Sequence, residues 1–353
     1  MQSPTPQQRW IFPCELMLVE PSAVNSTRET ILARLATERH PVSGHLLAEE
    51  LGISRTAVWK HVRHLREHGI NIRTISGRGY LLQSDTFNAA AVAARLSENP
   101  PKRIGRQVLV FEQLDSTNAE AMRQADQGID EGLVVFANHQ QQGRGRMGRK
   151  WHTMAEDALA MSILLRPELP PESVPQLSLV TAVGLHQALS SIASDVCIKW
   201  PNDLLHHNAK LAGILTEMRA EPGHVHAVVV GVGVNIRHPA SGWPADIAQP
   251  VTDLSTAAGE YVSRLDTAVQ IIRHLGSAYQ NYLENGFGPI RKAWWQAHTA
   301  CNQQVRVHDG GHYISGVAEA LDEDGALLLR TREGLTRIIA GDLEVMNAGD
   351  GSS

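Results

Sequence analysis

A run of glycine and cationic residues at Gly143–Trp151 (Gly-Arg-Gly-Arg-Met-Gly-Arg-Lys-Trp) constrains this chain more than any other stretch. No apolar residue recurs in it at the period of a helix or a strand, so the run predicts a loop. Its glycines free the backbone to curl and to turn successive N–H groups toward an anion. Its arginines offer planar sets of donors that match carboxylate or phosphate oxygens. We therefore predict a loop that wraps a phosphorylated ligand and becomes ordered around it.

Two nucleotide-binding motifs are similar to this run but fit it poorly. Its glycines match G-x-G-x-x-G, which should open a helix and meet an acidic residue roughly 20 positions later. Here the apolar run Met161–Leu165 lies near that position. A phosphate-binding P-loop ends in Gly-Lys-Ser/Thr, whereas Gly148 is followed by Arg149 and Lys150. The remaining alternative for an isolated loop of this kind is a solvated basic surface.

Composition places the chain among globular proteins of more than one domain. Its 353 residues are 42% hydrophobic, and no stretch approaches the roughly 18 apolar residues of a membrane span. The N-terminus lacks a basic-then-apolar signal pattern. Three scattered cysteines, Cys14, Cys197 and Cys301, argue against a disulfide framework and fit a reducing compartment. We expect a cytoplasmic protein without membrane contact.

The N-terminal part predicts a small DNA-binding domain. Residues 1–24 show no sustained period and are interpreted as a mobile extension. Within 25–84, three helical patterns follow one another, and Gly52 stands where a tight helix-turn-helix joint needs a left-handed residue. The third helix is capped by Ser54. An apolar hairpin follows at 70–80. Together these elements predict a winged helix-turn-helix domain.

Such a domain presents the N-terminal part of its recognition helix to the major groove of DNA. The alternative is a winged domain that only contacts proteins. The residues that we expect to contact DNA are Arg55, Thr56, Trp59, Lys60 and Arg63 of the helix, and Arg78 of the wing.

Four further motifs place polar residues or glycines at or near the ends of predicted strands and helices. Ser116 and Thr117 can cap a helix, and Pro201 ends a strand before a polar turn. Lys210 enters an apolar strand either as a snorkelling edge residue or as a functional charge. Glycines in a later strand allow close approach of a ligand. The motifs are Asp115-Ser116-Thr117-Asn118, Lys199-Trp200-Pro201-Asn202-Asp203, Lys210–Leu215 and Gly231-Val232-Gly233-Val234-Asn235.

The Gly143–Trp151 run and these four motifs, in this order, resemble the biotin protein ligases, specifically the bifunctional form that is also the biotin operon repressor. The resemblance spans roughly residues 25–345. It implies a multidomain α+β protein with an N-terminal winged helix-turn-helix, a central mixed-sheet class II synthetase-like ligase domain and a C-terminal SH3-like β-barrel. The expected boundaries are 25–84, 85–300 and 301–347.

The resemblance also implies an activity. With ATP and Mg²⁺, such a protein converts biotin to biotinyl-5′-AMP and transfers the biotin to a lysine of a biotin carboxyl carrier protein, a subunit of acetyl-CoA carboxylase. The adenylate-bound form becomes a homodimer and represses the biotin operon by binding operator DNA. Catalysis in this family rests on positioning and charge stabilisation rather than on a covalent nucleophile.

The family's residue roles can be transferred to the matching positions. Those implied for biotin are Ser116, Thr117, Asn118, Gln140, Arg144, Gly145, Arg146, Trp151 and Lys210. Those implied for the adenylate are Gly143, Arg149, Lys199, Asn202 and Asn235. The expected catalytic charges are Arg144, Arg146 and Lys210. We expect Asp203 to help hold Mg²⁺, which prefers a few carboxylates together with phosphate oxygens.

Three alternatives remain. One is a ligase whose DNA-binding domain is vestigial, and another is a biotin-responsive transcription factor without ligase activity. The intact Gly/Arg loop and Lys210 argue against the second. A lipoate ligase is the third, but the Gly-Arg-Gly-Arg signature and Lys-Trp-Pro-Asn-Asp favour biotin. One departure from the family is Ala160, where an aromatic residue is common, so adenylate stacking or retention can differ.

Overall fold

The fold was analysed on a computed structural model of the 353-residue chain, which divides into two compact units, 1–84 and 85–353. The structure describes residues 27–346 except 29, 33, 36–37, 39–40, 68–71, 83–86, 154–156, 240–241, 248 and 310. The predicted mobile extension, residues 1–24, lies outside the described residues. No helix within the described part of the chain is long and apolar enough to cross a membrane.

The N-terminal unit confirms the predicted winged helix-turn-helix. Helical residues that include Ile31 and Leu35 precede α1 (Gly44–Leu51) and α2 (Arg55–Glu67). An antiparallel hairpin of β1 (Ile72–Ile75) and β2 (Gly79–Leu82) follows. The buried side chains of this unit form one core, which includes Ile31, Leu35, Val42, Leu47, Val58, Val62, Leu65 and Ile72.

Local caps fix the joint between α1 and α2 as the sequence predicts. Ser43 Oγ accepts the Leu46 N–H at 3.0 Å, and Ser54 Oγ accepts the Ala57 N–H at 3.1 Å. Gly52 ends α1 with a φ of 63°, which a residue with a Cβ adopts only at a cost. The turn therefore depends on the glycine.

A seven-stranded mixed sheet forms the centre of the second unit. Its order is β3-β4-β5-β9-β8-β7-β6, in which only β3 and β4 are paired in parallel. The strands are β3 (Gln107–Leu114), β4 (Leu133–Gln140), β5 (Ala158–Leu165), β6 (Val196–Lys199), β7 (Asp203–His206), β8 (Ala209–Glu221) and β9 (His224–Asn235).

Helices cover both faces of this sheet, so its central strands are apolar on both sides. Val134 and Phe136 of β4 belong to the large core, while Leu133 and Val135 belong to a smaller core with Ala121 on the opposite face. The helices are α3 (Ala89–Ser97), α4 (Thr117–Asp126), α5 (Val174–Ser190), α6 (Leu254–Ala258), α7 (Arg264–Asn285) and α8 (Phe287–Ala297).

The C-terminal strands form a five-stranded antiparallel sheet in the order β13-β12-β11-β10-β14. This sheet occupies the region expected to form the SH3-like barrel, and β13 and β14 stand at the two ends of its order among the described residues. Its apolar face, including Val305, Val307 and Leu329, joins the same large core as the central sheet. The strands are β10 (Gln304–Asp309), β11 (His312–Leu321), β12 (Leu327–Thr331), β13 (Gly334–Ile338) and β14 (Asp342–Val345).

A buried histidine lies where α8 meets β6. The His298 ring stacks on Trp294 with 4.5 Å between centroids, and its Nδ1 lies 2.9 Å from the Ile198 carbonyl oxygen. A hydrogen bond to that carbonyl requires the proton on Nδ1, and Nε2 is buried without a partner. Burial lowers the pKa of His298 to about 4 from 6.5, although the bond to Ile198 opposes the shift.

We expect His298 to make unfolding pH-dependent between about pH 6.5 and pH 4. The unfolded chain binds a proton on this residue below about pH 6.5, whereas the folded protein resists it, so stability falls with the pH. The full effect is about 3 kcal/mol. Urea unfolding followed by tryptophan fluorescence should show a shallower pH dependence for His298→Gln than for the exposed control His312→Gln. Equal slopes for the two variants would contradict this prediction.

Candidate active site

A cavity of about 730 Å³ lies at one end of the central sheet, a volume within the range of small-molecule sites. The start of α4, the Gly/Arg loop, the ends of β8 and β9, and part of β14 border it. The predicted site residues that line it are Ser116, Thr117, Asn118, Gln140, Arg144, Gly145, Arg146, Arg149, Trp151, Lys199, Asn202, Asp203, Lys210 and Asn235.

The Gly/Arg loop is a hairpin that is closed at its neck. The Trp151 N–H donates to the Gly143 carbonyl oxygen at 2.9 Å, and the Gly145 N–H donates to the Arg149 carbonyl oxygen at 2.7 Å. A Cβ on Gly143 would lie 2.2 Å from the Trp151 carbonyl oxygen, so only glycine fits. Gly143, which we expected against the adenylate, thus lies at the neck, and a short 3-10 turn forms the tip at Arg146–Gly148.

Three cations of the cavity are paired with carboxylates. Arg144 pairs with Glu217 at 3.1 Å, Arg149 contacts Asp342 of β14, and Lys210 Nζ lies 2.7 Å from Asp203 Oδ1. The arginine pairs are about half exposed on the arginine side, but the Lys210 and Asp203 side chains are only 17% and 14% exposed. The first two pairs are therefore open to solvent screening, whereas the third is sheltered.

Arg146 differs from these three cations. Its Nη1 donates to the neutral Asn202 Oδ1 at 3.2 Å, and within the described residues no carboxylate forms an ion pair with it. Burial lowers the pKa of Arg146, while the charges of Asp342 and Asp203 partly offset this shift. Its guanidinium remains charged at any ordinary pH, so an anionic ligand would stabilise this side chain.

Asn202 and Asn235 are held by the backbone. Asn202 Nδ2 donates to the Ile214 carbonyl oxygen at 2.7 Å, which turns its Oδ1 toward Arg146. Asn235 Nδ2 donates to the Thr252 carbonyl oxygen at 3.0 Å. Both amides were expected to contact the adenylate, and in this structure each has its Nδ2 committed to the protein.

A polar network lines the cavity where α4 begins. Ser116 occupies the N-cap position but makes no side-chain cap bond. The Thr117 N–H donates to Gln140 Oε1 at 2.8 Å, and Gln140 Nε2 donates to Thr153 Oγ1 at 2.9 Å. The fully buried Ser162 Oγ lies 2.7 Å from Thr117 Oγ1 and 2.6 Å from Asn118 Oδ1. Donors and acceptors thus alternate along this wall.

The glycines of β8 and β9 make room for side chains that border the cavity. A Cβ on Gly233 would lie 2.3 Å from the Trp151 ring, and one on Gly231 would lie 2.3 Å from Asn118 Oδ1. We expected these glycines to admit a ligand directly. The structure shows that they first admit Trp151 and Asn118, which then form the walls.

Asp203 fits Mg²⁺ only in part. Its Oδ1 is engaged by Lys210, and the described residues contain no cluster of three or more His, Cys, Asp or Glu that could hold a metal ion. One carboxylate oxygen remains, so phosphate oxygens of a nucleotide would have to complete the coordination of the ion.

Sequence reasoning missed several residues that line the cavity or contact its lining residues. Ser162 is a polar residue in the otherwise apolar, fully buried strand β5, which is a usable signal. Glu217 interrupts the apolar pattern of β8 in the same way. Asp342 and Glu344 gave no local signal, because a strand distant in sequence brings them to the cavity.

In the N-terminal unit, the residues predicted to contact DNA share the exposed face of α2. Arg55, Thr56, Trp59, Lys60 and Arg63 are all exposed, and so is Arg78 in the wing turn. The Arg63 guanidinium lies 5.7 Å from the Trp59 ring, which is 48% exposed. The helix offers cations and one aromatic ring to solvent, as a DNA-reading surface requires.

Three family models match separate parts of the chain. Residues 110–235 match the Biotin/lipoate A/B protein ligase family, residues 27–81 match an HTH domain, and residues 300–346 match the Biotin protein ligase C terminal domain. The mixed sheet and its cavity thus define a protein ligase of the biotin/lipoate class with a DNA-binding type of domain at its N-terminus.

Individual relatives narrow this class. The bifunctional ligase/repressor BirA of Bacillus subtilis is 35% identical over 86% of this chain and 94% of the relative. BirA of Escherichia coli is 31% identical over 87% of this chain and 93% of the relative. The structure of a biotin protein ligase from Aquifex aeolicus in complex with biotin and ATP has a TM-score of 0.59 and 25% identity, and covers 69% of this chain and all of that one. The chain belongs to the biotin protein ligase family, in its bifunctional ligase/repressor form.

Proposed function

We propose that this protein is an ATP-dependent biotin protein ligase that makes biotinyl-5′-AMP and transfers biotin to a lysine of a biotin carboxyl carrier protein. One observation supports this most. The cavity joins a wall of alternating donors and acceptors at α4 to a group of cations that includes the uncompensated Arg146. A ligand with a urea-like ring at one end and two anionic groups at the other matches that arrangement.

The α4 end of the cavity suits the ureido ring of biotin. A urea offers two N–H donors and one carbonyl acceptor, so its burial requires both kinds of partner. Ser116 is 4% exposed and its hydroxyl makes no cap bond, so it remains available beside Thr117 and Gln140. Trp151, seated over Gly233, supplies an apolar wall for the aliphatic chain.

The cationic end suits the reacting groups. Arg144, Arg146 and Lys210 draw together the biotin carboxylate and the α-phosphate of ATP, two anions that repel each other in water. A carboxylate oxygen attacks the α-phosphorus and pyrophosphate leaves. The lysine amine of the acceptor then attacks the acyl carbon, and AMP leaves with the bridging oxygen. Lys199, Arg149 and the two asparagines are placed to hold the nucleotide, and Mg²⁺ at Asp203 would neutralise the leaving phosphates.

A mass assay tests the activity and its substrate. The protein is mixed with ATP, Mg²⁺, a carrier domain and either biotin or lipoate. We expect the carrier to gain the mass of one biotin and to remain unmodified with lipoate. Modification only by lipoate would replace this proposal with lipoate ligation, and no modification with either acid would leave the transcription-factor alternative.

We expect Arg146→Ala to fold normally but to release biotinyl-5′-AMP faster than the wild type. The substitution removes the one cavity arginine whose charge has no carboxylate partner, and a charge-assisted hydrogen bond is worth about 1.5–3 kcal/mol, so dissociation should accelerate roughly 10- to 100-fold. Stopped-flow release of the adenylate measures this. Arg330→Ala, which removes an arginine paired with Glu319 outside the cavity, is the control. Equal release rates for Arg146→Ala and the wild type would refute the role.

We also propose that the adenylate-bound protein is a cytoplasmic homodimer that represses the biotin operon through residues 25–84. The exposed cationic face of α2 supports DNA binding. A free strand edge supports dimer formation: β7 pairs with β8 only as far as Gly213, and beyond it β8 has β9 on one side alone among the described residues. Met218, which is 48% exposed, lies on this edge. An unpaired edge with an exposed apolar residue favours pairing with a second copy.

Operator titrations at several salt concentrations, with and without biotin and ATP, test the repressor role. We expect tighter binding with both ligands present, because only the dimer can contact two half-sites, and a steep salt dependence from phosphate contacts. Trp59→Ala should reduce discrimination between operator and unrelated DNA. Identical affinities with and without the ligands would remove the co-repressor role and favour a vestigial domain.

A further inference from the structure

Glu217 lies beside the cavity, on the same face of β8 as two residues that line it. It is opposite Val229 of β9, and it follows Gly213 and Leu215 at the two-residue spacing of a strand. Its side chain is about one-third exposed. A carboxylate at this position of an apolar strand requires partners.

Both of its partners are donors. Asn118 Nδ2 donates to Glu217 Oε2 at 2.7 Å, while Arg144 Nη1 lies 3.1 Å from Oε1 and Nη2 donates to Oε2 at 3.4 Å. Asn118 is only 4% exposed, so its charge-assisted bond is sheltered from water. The Arg144 pair is half exposed and contributes little alone. The main effect of Glu217 is therefore on Asn118, with Arg144 attached to the same carboxylate.

Asn118 in turn belongs to the polar network of the α4 wall. Its Oδ1 lies 2.6 Å from Ser162 Oγ, which contacts Thr117, and Thr117 is bonded to Gln140. A continuous chain of polar contacts thus runs from Arg144 in the Gly/Arg loop, through Glu217 and Asn118, to Gln140 at the end of β4. The carboxylate is the step that joins the loop to the wall.

We propose that Glu217 is a positioning residue that fixes the Asn118 amide and the Arg144 guanidinium together, and so couples the ureido-binding wall to the Gly/Arg loop. This inference rests on the proposed ligase function. A carboxylate suits this position, because Oε2 accepts from both Asn118 Nδ2 and Arg144 Nη2 while Oε1 faces Arg144 Nη1. A glutamine offers one oxygen and one NH₂ group, so it can accept from Asn118 only by turning a donor toward Arg144.

The test compares Glu217→Gln with Glu319→Gln in the full-length protein. Glu319 pairs with Arg330 on the C-terminal sheet, outside the cavity, and its side chain is as exposed as that of Glu217. Calorimetry with biotin alone measures affinity. Limited trypsin digestion of the unliganded protein measures the freedom of the loop, which contains four cleavable cations.

For Glu217→Gln we expect biotin affinity to fall on the order of tenfold, the effect of one lost charge-assisted hydrogen bond. We also expect faster cleavage within the loop, and a KM for biotin that rises more than kcat falls. In an Arg144→Ala background, the effect of Glu217→Gln on biotin affinity should shrink, because one of the two partners has already been removed. Glu319→Gln should behave as the wild type in every measurement.

Unchanged biotin affinity for Glu217→Gln, with or without faster cleavage, would overturn the coupling. Tighter binding would also overturn it, since Glu217 would then be a competitor of the ligand for Arg144. Glu217→Asp covers the case in which the glutamine variant fails to fold: its shorter carboxylate should retain one partner and lose less affinity, and wild-type affinity there would reject the need for both contacts. If the wild-type protein binds biotin and modifies the carrier, these outcomes judge Glu217 alone. If it does neither, the proposed function itself fails.

Discussion

The partly desolvated guanidinium of Arg146 is the constraint on which the cavity depends. A cation removed from water without a carboxylate beside it is held at a cost, and the downward shift of its pKa expresses that cost. Asn202 lowers the cost with one neutral hydrogen bond, and Asn202 is itself pinned to the Ile214 carbonyl oxygen. Arg146 thus remains incompletely satisfied, which is what an anionic substrate can exploit.

The architecture that holds this charge is assembled from sequence-distant pieces. The neck of the Gly/Arg loop closes through the hydrogen bond between Gly143 and Trp151. The Trp151 ring packs against β9 at Gly233, where any residue with a Cβ would clash with the ring. Arg149 reaches β14 of the C-terminal sheet. The loop is thus held at its neck by its own backbone and by the indole of Trp151 against β9, and nearer its tip by the contact of Arg149 with the small sheet.

Much of the fold could be predicted from sequence, because local rules determine those elements. The apolar periods and end signals of Val174–Ser190, Arg264–Asn285 and Phe287–Ala297 agree with one another, so the sequence alone predicts the helices that the structure shows there. The winged domain followed from Gly52 and Ser54 for the same reason. The seven-stranded order did not follow, because strand order is set by contacts between distant segments.

The residues of the candidate site also fall into two groups, those that local sequence indicates and those that only the fold brings to the site. Motif residues such as Arg146, Lys210 and Trp151 could be singled out because their types are unusual in their local pattern. Their partners could not be, because Glu217, Asp342 and Ser162 are ordinary residues until the fold places them beside a cation or an amide. Ser116 occupies the predicted N-cap position without a side-chain cap bond, and Gln140, 23 residues away in sequence, accepts the N–H of Thr117 at the first position of the helix.

The differing exposure of the ion pairs indicates which of them a ligand can exchange. Solvent-exposed pairs contribute roughly 0–1 kcal/mol, so Arg144 and Arg149 can leave their carboxylates for a ligand anion at little cost. A sheltered pair is costly to break, because its remaining charge is left buried. Lys210 and Asp203 are sheltered, so we expect them to act as a unit, with Lys210 Nζ remaining beside Asp203 Oδ1 when an anionic ligand binds. Among its arginines and Lys210, the cavity therefore combines an arginine without a carboxylate partner, two exchangeable arginines and a lysine that stays paired, and a single ligand with a carboxylate and phosphates can match this order of availability.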